Sequence, residues 1–111
     1  MGHDIYGINR DGEAIAYARF SMGNSNSVSL YSLLDAHDYF AGVSGTGEET
    51  TYTLQQIEKS WNSFKERNSN KNISFQSEEE FTDIDEKQIY IFIRNCLLTA
   101  QKEGEIKVYY G

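Results

Sequence analysis

The chain predicts an α+β fold: an antiparallel sheet built from an N-terminal hairpin and a C-terminal strand, with a possible edge strand near residues 49–52 and about three helices packed on one face. Three observations carry this. Both ends of the chain show strand patterning, with Ile5, Tyr6 and Ile8 near the start and Ile106, Val108 and Tyr110 alternating near the finish. Two internal segments repeat apolar residues at steps of three and four, the period of an amphipathic helix. Each of these is preceded by a helix-start pattern. Thr53 is followed three residues on by Gln56, with Tyr52 and Ile57 as flanking apolar residues; Asp85 is followed by Gln88, with Ile84 and Ile89 flanking.

Residues 3 to 20 read as a hairpin. Its second strand is marked by Ile15, Tyr17 and Phe20, and Asn9-Arg10-Asp11-Gly12 forms the turn. Ala14, Ala16 and Ala18 leave one strand face almost flat, so a helix is expected to approach closely there. The polar stretch Ser21 to Ser27 ends in a cap at Ser25, Asn26 or Ser27, and Val28, Tyr31 and Leu34 then recur at helical spacing, fading near Ala36 to Tyr39. A glycine-rich turn, Gly42 to Gly47, leads to the short Thr-rich strand. The capped helix from about Leu54 to Arg67 buries Leu54, Ile57, Trp61 and Phe64, and Asn68 to Asn72 form a flexible loop. Ser77-Glu78-Glu79-Glu80 has room for one helical turn that points Phe81 inward. The last helix, about Glu86 to Glu103, carries Ile89, Phe92, Ile93, Cys96, Leu97 and Ala100 on one face and stops at Gly104. A final strand spans Glu105 to Tyr110, pairing within the sheet to hold the chain end.

At 111 residues the chain is read as a single domain, 1–111, with no repeat or linker. Its aromatic content of 14% argues against disorder. A net charge of -7 argues against direct nucleic-acid binding, which needs cations for phosphate. One cysteine, Cys96, excludes an internal disulfide and suggests a reducing, cytoplasmic setting. No export signal or membrane-spanning run is legible, so no membrane association is expected.

Candidate chemistry is sparse. His3-Asp4 and His37-Asp38 carry donors of metal-ligand type, but on different elements; the plainer reading makes His3 a frayed strand start and His37 a helix C-terminal residue. The loop Gly42-Val43-Ser44-Gly45-Thr46-Gly47 has nest-forming spacing without an adjacent Lys or Arg, and no strand-then-helix context for a dinucleotide fingerprint. Asn24, His37, Asp38, Ser44 and Gly45 are the candidate ligand-binding residues, provided their loops converge. Cys96 lies in the buried phase of its helix, and no serine sits in a Gly-x-Ser-x-Gly context. No catalytic residue, cofactor or metal is assigned. Eight tyrosines exceed the needs of a small core, so some belong at an exposed or interfacial position. Glu78, Glu79, Glu80 and Asp83 form an acidic run suited to a basic partner surface.

The opening Gly2-His3-Asp4-Ile5-Tyr6 and the Gly42-Val43-Ser44-Gly45 loop resemble a group of small uncharacterised bacterial and phage proteins. The resemblance implies no activity. The leading expectation is therefore a small acidic binding or regulatory protein without catalysis, in one form a phage-type inhibitor or counter-defence protein covering a basic surface of a protein partner. The alternative is a small-molecule-binding or hydrolytic protein, nucleotide-like or metal-dependent, using the 23–27 and 37–47 loops. Self-association through a sheet edge, giving a homo-oligomer, is a third reading.

Overall fold

The computed structural model describes residues 2–111. Four strands, β1 (Gly2–Ile8), β2 (Ala14–Ser21), β3 (Glu48–Thr53) and β4 (Glu105–Tyr110), form one sheet in the order β2-β1-β4-β3, with every neighbouring pair antiparallel. Three helices, α1 (Ser25–Leu33), α2 (Leu54–Arg67) and α3 (Ile84–Glu103), pack on one face of it. Short 3-10 turns occupy His37–Tyr39 and Glu78–Glu80. This is the α+β arrangement the patterning predicts, including the edge strand, which is β3.

Alternation on the strands makes the two faces unlike. His3, Ile5, Ala16, Ala18, Phe20, Tyr52, Ile106, Val108 and Tyr110 are buried beneath the helices. Of the alanine face, Ala16 and Ala18 are covered as expected while Ala14 is exposed: α3 lies across β2 and settles deep enough that Cys96 faces Gly7. A Cβ on Gly7 would stand 2.7 Å from the Cys96 Sγ and 3.0 Å from the Ala16 Cβ, so only glycine fits there. On the far side of α3, Trp61 and Phe64 of α2 join Phe75, Phe81 and Tyr90 in an aromatic cluster. Both stripes turn inward.

The α2 start matches its grammar in full. Thr53 accepts from the Gln56 N–H, and the Gln56 side chain accepts from the Thr53 N–H. The α3 start does not. Asp83, not Asp85, is the cap, accepting from the N–H groups of Asp85 and Glu86. The helix begins two residues early because Asp83 and Glu86 offer the same local pattern in a different frame. Ile84 consequently faces solvent, 78% exposed, and forms no apolar staple. The cap of α1 is likewise one residue earlier than expected, at Asn24, whose side-chain oxygen accepts from the Asn26 N–H at 2.9 Å. Val28 then falls on the outer side of α1, and Ser27, Leu30, Tyr31 and Leu33 are buried instead. Gly104 ends α3 with φ 85, a left-handed stop.

Candidate functional site

The face of the sheet away from the helices carries a row of tyrosines. Tyr17 on β2 stands opposite Tyr6 on β1, and Tyr6 stands opposite Tyr109 on β4. Their ring centroids are 4.8 Å and 6.2 Å apart, with tilted planes. Cross-strand aromatic pairs of this kind stabilise a sheet locally. Here they also make a continuous aromatic strip across three strands. Glu49 of β3 continues the row as the partner of Tyr109.

Ion pairs flank the strip. The Asp4 Oδ1 accepts from the Tyr17 hydroxyl at 2.6 Å and from the Arg19 guanidinium at 3.1 Å. That bond to Asp4, reinforced by partial burial, pushes the Tyr17 phenol above its ordinary pKa. Lys107 Nζ lies 3.5 Å from Glu49 Oε1 on the other flank. Tyr17 is 45% exposed, whereas Tyr6 and Tyr109 are half-buried by their neighbours in the row. The strip thus presents apolar ring surface at its centre and balanced charges around it. Tyr and Arg are residue types enriched at protein–protein interfaces. A phosphate-tracking face would instead need an excess of cations.

Of the remaining tyrosines, Tyr31, Tyr52, Tyr90 and Tyr110 are buried and Tyr39 is half-buried against them. Tyr31 stacks on Tyr110 at 5.4 Å, and Tyr39 on Tyr110 at 4.9 Å. The Tyr110 and Tyr52 hydroxyls share a hydrogen bond of 2.6 Å. Burial pushes the Tyr31 phenol to about 12 and, above the smaller opposing pull of its bond to Tyr110, Tyr52 also to about 12. Burial drives Tyr110 higher still and raises the Cys96 thiol. Cys96 is therefore a packing residue.

His3 is not a frayed strand start. It is fully buried, stacks on Phe40 at 5.3 Å, and spans between Tyr31 and the glycine-rich loop. Its Nε2 lies 3.3 Å from the Gly42 carbonyl, which can only accept, so in the neutral ring Nε2 carries the proton and Nδ1 accepts from the Tyr31 hydroxyl at 3.0 Å. Strand alternation sets His3 beside Ile5 on the inner face and sends Asp4 to the outer one. The two His-Asp pairs therefore do not meet: His37 and Asp38 are exposed on their 3-10 turn. Among the described residues, no group of three or more His, Cys, Asp or Glu side chains is placed to hold a metal ion.

The other anticipated ligand-binding residues have local partners. Asn24 caps α1 and donates to Asp85 Oδ2 at 3.0 Å. The Ser44 hydroxyl donates to the neighbouring Gly45 carbonyl. The amides of Gly45, Thr46 and Gly47 donate to the carbonyls of Gly111, Tyr39 and Tyr110, so they do not converge on a free nest. Two cavities of about 290 and 300 Å³ are lined by other residues. Of the acidic run, Glu78 pairs with Arg94 at 3.1 Å and Asp83 caps α3, while Glu79 and Glu80 are exposed. The tyrosine row was the feature residue reading missed; the signal for its first pair was the hairpin register set by the 9–12 turn. No helix among the described residues is long and apolar enough to cross a membrane. No protein-family model, curated protein or solved structure matches the chain.

Proposed function

We propose that this chain is a small non-catalytic binding protein that docks a protein partner on the open face of its sheet. The observation that supports it is the tyrosine row itself, Tyr17-Tyr6-Tyr109, on a face that the helices leave uncovered. Tyrosines present large, rigid contact area with little conformational freedom to lose, and residues of this type dominate interface energetics. The net charge of -7 favours a basic partner through long-range attraction, while the balanced ion pairs beside the row fix orientation at contact. Inhibition of a basic protein by covering one of its surfaces is the specific form this reading takes.

The test is native purification of the tagged chain from its source cell, in parallel with Tyr17→Ala, Tyr6→Ala and a Glu79→Gln/Glu80→Gln variant, each checked for native circular dichroism. A central tyrosine at such an interface is worth about 2 kcal/mol, roughly 30-fold in Kd. The captured protein is expected to be lost from the tyrosine variants, retained by the glutamine variant, and bound less tightly as salt rises. Equal capture by the tyrosine variants refutes the docking face; salt-independent capture refutes the basic partner.

A further inference from the structure

A concavity of about 290 Å³ opens on the helical side, where the end of α1 meets α2. Its wall includes Asp35 just beyond α1, Tyr52 of β3, and Gln56, Lys59, Ser60 and Ser63 of α2. The α2 residues recur at steps of three and four and so share one helix face.

Asp35 holds φ 53 and is the one non-glycine residue with positive φ among those described. It closes α1 in a Schellman motif: the Asp35 N–H donates to the Ser32 carbonyl at 3.1 Å and the Ala36 N–H to the Tyr31 carbonyl at 2.8 Å. Glycine is the usual residue at this position, and aspartate adopts the conformation at some cost. What aspartate adds there is a carboxylate on a residue that lines the cavity.

The polar groups divide by side. Asp35 supplies an acceptor next to α1. Lys59 supplies a cation on α2, and Gln56, whose Oε1 is engaged by the Thr53 N–H at 2.8 Å, keeps its amide NH₂ for donation. Among the described residues, Asp35 and Lys59 belong to none of the three ion pairs, so they do not satisfy each other across the gap. Separated opposite charges complement a molecule bearing both charges in reverse. A phosphate or nucleotide would set anion against Asp35, and the volume, just under the range of drug-sized sites, suits a smaller molecule.

We propose that this cavity binds a small zwitterion of the α-amino acid class, with the ligand ammonium on Asp35 and its carboxylate on Lys59 and the Gln56 amide. The site is separate from the tyrosine face and does not depend on it.

The test is an amide-resolved NMR titration of the isotope-labelled full chain with glycine, L-alanine, L-serine and L-glutamate, each to about 10 mM, beside ethylamine and acetate as half-ligands. Saturable shifts are expected at Asp35, Lys59 and Ser63 with at least one amino acid, at least tenfold weaker with either half-ligand. Asp35→Asn keeps a residue that tolerates the left-handed conformation while removing the charge, and Lys59→Gln removes the other; each is expected to weaken binding at least tenfold. Absence of saturable shifts with all four amino acids, equal binding of a half-ligand, or undiminished binding by a folded Asp35→Asn protein overturns the proposal.

Discussion

Replacing Tyr90 with Phe removes one oxygen from the interior and leaves the ring in place, packed 4.9 Å from Phe81, 6.0 Å from Trp61 and 6.2 Å from Phe64. That oxygen fastens the segment before the acidic turn to α3. It donates to the Ser74 carbonyl at 2.7 Å and accepts from the Ser77 N–H at 2.9 Å. Each such bond contributes about 1 kcal/mol net, and a buried group stripped of its partner costs more. Here the loss is softened, because the Ser77 N–H keeps a longer bond of 3.3 Å to the Ser74 carbonyl. The expected destabilisation is therefore about 1–2 kcal/mol. Urea unfolding followed by circular dichroism should show a lower midpoint at unchanged slope. For a chain of this length the melting temperature should fall by about 4–9 °C. Amide exchange at Ser77 should quicken, and the turn carrying Glu78 should loosen with it. A change below about 0.5 kcal/mol, the scatter of neutral surface substitutions, would refute the assignment of the phenol as the fastener.

Three further outcomes are expected. Asp35→Gly relieves a left-handed strain of about 1 kcal/mol, partly offset by glycine's greater unfolded-state freedom, so it should raise stability by about 0.5 kcal/mol in the same urea assay. Cys96, fully buried with its thiol pKa raised, should resist an aromatic disulfide reagent in the native protein and react promptly in denaturant. Tyr31 and Tyr52 have folded-state pKa values of about 12 against an ordinary 10.0. The unfolded chain therefore releases these protons first, and the stability they confer is intact below pH 10, then lost as pH rises towards 12. Phenolate absorbance should show a late-titrating group of tyrosines that merges with the rest on unfolding.

Much of this architecture was legible because its signals are local. Thr53 and Gln56 sit within one turn of each other, so α2 could be placed to the residue from Leu54 to Arg67. Gly104 and the alternation after it located β4 in the same way. Legibility failed where two local patterns compete or where partners are distant in sequence. Asp83-Glu86 and Asp85-Gln88 are equivalent starts on paper, and only packing, which leaves Ile84 in solvent, separates them. His3 shares parity with the buried Ile5, but its polar side chain disguised the fact until Tyr31 and Gly42 supplied partners. Tyr109 joins the tyrosine row through pairing with the opposite end of the chain. The cavity at Asp35 depends on where α1 ends, a boundary that apolar periodicity placed several residues too late.

The pairing of β1 with β4 at the centre of the sheet has a kinetic consequence. Ile5 finds Tyr110 only after all of the intervening polypeptide has been made, so the first hairpin emerges from the ribosome with one side of its backbone unsatisfied. Its edge must wait, open to wrong pairing, until the closing strand arrives. Loop closure over such a span is entropically slow, and the rate of maturation should be governed by this last docking event rather than by formation of the helices.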